Sequence, residues 1–91
     1  MVEIIGTDIY RDGIKIGMVG GDSIYDKTGR KVGFFSATTI FDGTGRTMAQ
    51  VEGDYVSTGG RSIELEQIIS KVSGVGVSDA GKVAISMFLG D

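Results

Sequence analysis

SIYDKTGRKVGFF at residues 23–35 and TIFDGTGRTMAQV at 39–51 carry one pattern: Ile, a ring, an acid, a turn ending in Gly, Arg, then apolar and small residues. A looser copy, DIYRDGIKIGMV, stands at 8–19. Ile24 to Ile40, Gly17 to Gly33 and Gly33 to Ala49 are steps of 16, whereas Ile9 to Ile24 is a step of 15. A fourth, broken copy begins at Gly53-Asp54-Tyr55-Val56. A fixed period of this kind marks one supersecondary unit laid down repeatedly.

The single-residue difference in spacing identifies the unit as a β-hairpin. Asp12-Gly13 suits a two-residue type I′ loop, because both positions tolerate positive φ. Lys27-Thr28-Gly29 and Gly43-Thr44-Gly45 suit three-residue loops whose final Gly takes the left-handed bulge position. Counting outward from each loop sets Tyr10 opposite Lys15, Tyr25 opposite Lys31 and Phe41 opposite Thr47. The next pairs are then Ile9 with Ile16, Ile24 with Val32 and Ile40 with Met48. Strand pleating separates two faces. One carries Ile9, Ile16, Met18, Ile24, Val32, Phe34, Ile40 and Met48 and requires a cover. The other carries Tyr10, Lys15, Tyr25, Lys31, Phe41 and Thr47, with Gly17, Gly33 and Ala49 beside them. Isolated hairpins are marginal in water, so the units are expected to pair into one twisted antiparallel sheet.

The cover is expected from the second half. Leu65, Ile68, Ile69 and Val72 fall at helical spacing, which predicts a helix over 62–73 with Ser62 as its N-cap and Ser73-Gly74 as its stop. Residues 78–89 admit two readings. One is a helix capped by Ser78, with Ala84, Met87 and Phe88 on one side and Gly90 at its end. The other is a further hairpin strand through Val83, Ile85, Met87 and Leu89. The need to cover the sheet favours the helix. The expected fold is α+β: one domain over 1–91, a hairpin-repeat sheet over 1–56 from three hairpins at about 8–51, then one or two helices.

Composition narrows the function. The chain has 91 residues, 41% hydrophobic and 23% charged, with 16 Gly and no Cys, His, Pro or Trp. Without Cys there are no disulfides, thiolate nucleophiles or Cys-ligated metals. Without His the commonest general base and metal ligand are missing. Residues 1–46 hold six basic and six acidic side chains, and residues 47–91 hold three and six, so the net charge of −3 belongs to the second half. No basic field is available for nucleic acid or an anionic membrane. No apolar run reaches the ~20 residues of a membrane span, and MVEIIGTD does not read as a signal peptide, so a cytoplasmic location is expected.

Few motifs carry chemistry. Gly76 to Val83 is one residue short of G-x-x-x-x-G-K-[ST], and Val83 has no hydroxyl for Mg²⁺. Asp12, Asp26 and Asp42 recur beside turns, where Asp holds backbone through its own side chain, and Asp26 and Asp42 face Arg30 and Arg46 across the strands. Ser36, Thr38 and Thr39 have no partner that would activate a nucleophile. No cofactor, metal or catalytic residue is expected. The most specific surface feature is the ladder of Tyr10, Lys15, Tyr25, Lys31 and Phe41. It reads as a solvated sheet face, as a partner-binding face, or as the seat of the C-terminal helix.

The stretch IYDKTGRKVGFFSATTIFDGTGR resembles the strand–turn–strand opening of PRC-barrel domains, roughly V-x-D-x-x-G-x-x-V-G, and its rhythm is similar to MORN hairpin repeats. A PRC-barrel resemblance implies an adaptor without catalysis. The expected function is a non-enzymatic protein-interaction or assembly module that associates with itself as a homo-oligomer. The alternatives are a small-molecule binding domain with its cavity between sheet and helices, or a PRC-barrel-like adaptor.

Overall fold

The computed structural model describes residues 1–90. Nine strands run as an unbroken antiparallel meander: β1 (Val2–Ile5), β2 (Asp8–Arg11), β3 (Ile14–Gly20), β4 (Ser23–Asp26), β5 (Lys31–Phe35), β6 (Thr39–Asp42), β7 (Thr47–Glu52), β8 (Tyr55–Thr58) and β9 (Arg61–Glu64). Helix α1 (Leu65–Ile69) leads from β9 to β10 (Val72–Ser73), which pairs parallel to β1 at the opposite edge. Helix α2 (Asp79–Leu89) lies against β4, β5, β6, β10 and α1. The chain is therefore α+β, with a sheet of consecutive hairpins followed by a C-terminal helix.

Ten strands at roughly 4.8 Å spacing would span about 43 Å if flat. The longest dimension of the Cα trace is 32 Å, and the short connection through α1 draws the two sheet edges together. The sheet is curled around α2, so one face is inner and helix-covered, and the other is outer.

The three repeat hairpins are β2–β3, β4–β5 and β6–β7. Asp12 and Gly13 have φ of 53° and 81°, as a type I′ loop requires, and Gly29 and Gly45 stand at 88° and 92°. Pairing next to each loop is Tyr10 with Lys15, Tyr25 with Lys31 and Phe41 with Thr47. One step further the expected register fails. Ile9 pairs with Gly17, Ile24 with Gly33 and Ile40 with Ala49, because each return strand contains a bulge at Ile16, Val32 and Met48 respectively. An extra residue reverses the side on which everything beyond it points. The expected face of eight apolar residues is thus divided. Ile9, Ile24 and Ile40 face inward and are completely buried, whereas Met18 and Phe34 cross to the outer face and Met48 is exposed. Gly17, Gly33 and Ala49, expected beside the rings, lie inside instead.

Those small residues give α2 its seat. A Cβ on Gly17 would stand 2.6 Å from Leu89 Cδ1, and one on Gly33 would stand 2.4 Å from the Phe88 ring. A Cβ on Gly81 of α2 would stand 2.4 Å from Val77 Cγ1 and 2.9 Å from the Phe35 ring of β5. The core then joins Val2 and Ile4 of β1, Val19, Val56 and Val72 to Ala80, Val83, Ala84 and Ile85 of α2.

The helix expected over 62–73 is shorter. Ser62 belongs to β9, opposite Ser57, and Val72 belongs to β10, opposite Val2. Gly59-Gly60, both at positive φ, close another hairpin, and backbone pairing outweighs helical periodicity at both ends. Over 78–89 the helical alternative is the one adopted: the Ser78 hydroxyl accepts from the Gly81 N–H at 3.2 Å. No helix among the described residues is long and apolar enough to cross a membrane.

The acidic turn residues act locally. Asp26 Oδ1 accepts from the Thr28 N–H at 2.9 Å, the Thr28 hydroxyl at 2.5 Å and the Arg30 N–H at 3.1 Å. Asp42 repeats the arrangement with Thr44 at 2.9 and 2.7 Å and Arg46 at 3.0 Å. The threonine hydroxyls foremost, then the backbone donors and the nearby Arg, hold both carboxyls below the ordinary value of 3.8. Folded-state pKa values below the unfolded ones add stability that is fully present above pH ~4 and is lost as pH falls through the folded values. Asp26→Asn with Asp42→Asn removes that contribution. The gap in melting temperature between wild type and double variant should therefore narrow as pH is lowered from 5 to 2.5; a constant gap would show that the charges do not hold the turns.

Candidate interaction face

The outer face is built by pleat alternation from the same hairpins. Once Ile9, Ile24 and Ile40 point inward, their neighbours Tyr10, Tyr25 and Phe41 must point outward. The bulges add Met18 and Phe34 to this side. Across the strands, Tyr10 lies opposite Glu3 and Lys15, Tyr25 opposite Met18 and Lys31, and Phe41 opposite Phe34 and Thr47. Strands β2 to β6 thereby present four rings and a thioether on the side of the sheet opposite α2.

The rings cover one another without being enclosed. Phe34 and Phe41 stack with centroids 4.8 Å apart and planes inclined by 20°. The Lys31 ammonium stands 4.5 Å from the Phe34 centroid, a cation–π contact. Tyr10, Tyr25, Phe34 and Phe41 are half-buried, and Met18 is 37% exposed. Among the described residues no side chain or backbone group hydrogen-bonds the Tyr10 or Tyr25 phenol, which leaves both hydroxyls available to another molecule. Lys15 makes an ion pair with Asp8 at 3.0 Å, so its charge is partly met within the sheet. Lys31 has no carboxylate partner among the described residues.

The ladder residues therefore share one face, but their contacts differ from the sequence expectation. Lys15 engages Asp8 rather than the Tyr10 ring, and Lys31 lies on Phe34 although its backbone neighbour is Tyr25. The helix α2 sits on the other side of the sheet. Two outer-face residues were not legible as part of the ladder, Met18 and Phe34, because only the bulges turn them outward. The signal was the apolar residue recurring at step 16 (Ile16, Val32, Met48), one more than the alternation can use. A further ring, Tyr55 of β8, is 51% exposed between Glu52 of β7 and Glu64 of β9.

The other motifs are spent on structure. In the Gly76 to Val83 segment, Ser78 caps α2 and Gly81 admits Phe35 and Val77, so neither contributes to a phosphate cradle. Ser36 and Thr39 close the β5–β6 turn, the Ser36 N–H donating to the Thr39 carbonyl at 2.8 Å and the Thr39 N–H to the Ser36 hydroxyl at 3.2 Å. Among the described residues no three acidic side chains converge to hold a metal ion. The interface of sheet and α2 is filled by Phe35, Phe88 and Leu89. A groove of about 370 Å³ opens at the end of the roll beside Gly6, Gly21, Phe35 and Ser78.

No protein-family model, curated protein or solved structure matches the chain. The resemblance to PRC-barrel and MORN segments rests on the turn rhythm of residues 24–46.

Proposed function

We propose that this chain is a non-enzymatic protein-interaction module that associates with itself, and that the outer face of β2–β6 is its contact surface. The observation that carries this reading is the unequal treatment of the two faces. The inner face is closed by α1 and α2, whereas Tyr10, Met18, Tyr25, Phe34 and Phe41 form a contiguous strip on the opposite side of the sheet that no helix among the described residues covers. Contiguous apolar strips with rings and a polar margin are the usual composition of interfaces, where a few aromatic anchors supply most of the binding energy. Lys15 and Lys31 supply the margin and keep the free face wettable.

Tyr10→Ser with Tyr25→Ser removes two anchors and touches none of the completely buried core. Circular dichroism should show the sheet retained and melting little changed, while sedimentation shows self-association weakened at least ~5-fold, the effect of losing interface anchors worth ~1–2 kcal/mol. Association like that of wild type would make the strip an ordinary solvated sheet face.

A further inference from the structure

We draw no further inference here: the strongest candidate, the exposed Tyr55 ring of β8 set between Glu52 of β7 and Glu64 of β9, is an acidic surface patch, and nothing in the structure shows what covers it.

Discussion

Gly33→Ala should lower the stability of this fold by about 1–3 kcal/mol, the cost of forcing a group into a packed interior. A methyl at position 33 would stand 2.4 Å from the Phe88 ring and 2.7 Å from the Phe41 carbonyl oxygen. The ring can retreat by rotating α2 outward, but the carbonyl belongs to β6 and moves only with the sheet. Gly43→Ala is the control: its new methyl meets nothing closer than 3.4 Å, and φ there is not positive. Denaturant titration should find Gly43→Ala within ~0.5 kcal/mol of wild type, as surface substitutions usually are. Adding Phe88→Leu to Gly33→Ala should restore part of the loss, because the ring contact is relieved and the carbonyl contact remains. Equal effects of the two alanines would mean that α2 does not lie on the sheet at this point.

The second large effect tests the bulges. Ile40 and Met48 are equivalent if alternation alone decides the faces, since both then project toward the cover. In the structure Ile40 is completely buried beneath α2, and Met48, the bulge residue, is 38% exposed. Ile40→Ala should therefore cost about 2–5 kcal/mol, removing three buried carbons and leaving a cavity. Met48→Ala should cost less than ~1 kcal/mol. Against the ~5–15 kcal/mol stability of a typical domain, the first loss leaves a substantial unfolded fraction in a chain this small. Comparable midpoints for the two variants in urea would restore the uninterrupted register and undo the assignment of Met18 and Phe34 to the outer face.

The hairpins were legible because their determinants are local. Asp12-Gly13, Gly29 and Gly45 specify turn conformations through φ alone, and Asp26 and Asp42 hold their turns by bonds reaching no further than four residues. The α2 helix was half legible, since Ser78 signals a cap but alternation through residues 83–89 suits a strand equally well. The tertiary structure settled what depends on contacts between distant residues. The bulges at Ile16, Val32 and Met48 let each unit present Ile9, Ile24 and Ile40 together with Gly17, Gly33 and Ala49 to α2. A flat alternation would have put bulky residues where the helix must approach. The start of the 62–73 helix was lost to pairing with β8 across the local Gly59-Gly60 turn, and its end to pairing with β1, a partner distant in sequence that no local pattern reveals. The candidate site divides in the same way: Tyr10, Tyr25 and Phe41 could be read from their repeat positions. Met18 and Phe34 joined them, and the glycines left them, because one extra residue per strand reverses the pleat and only the packing of α2 determines where that residue is accommodated.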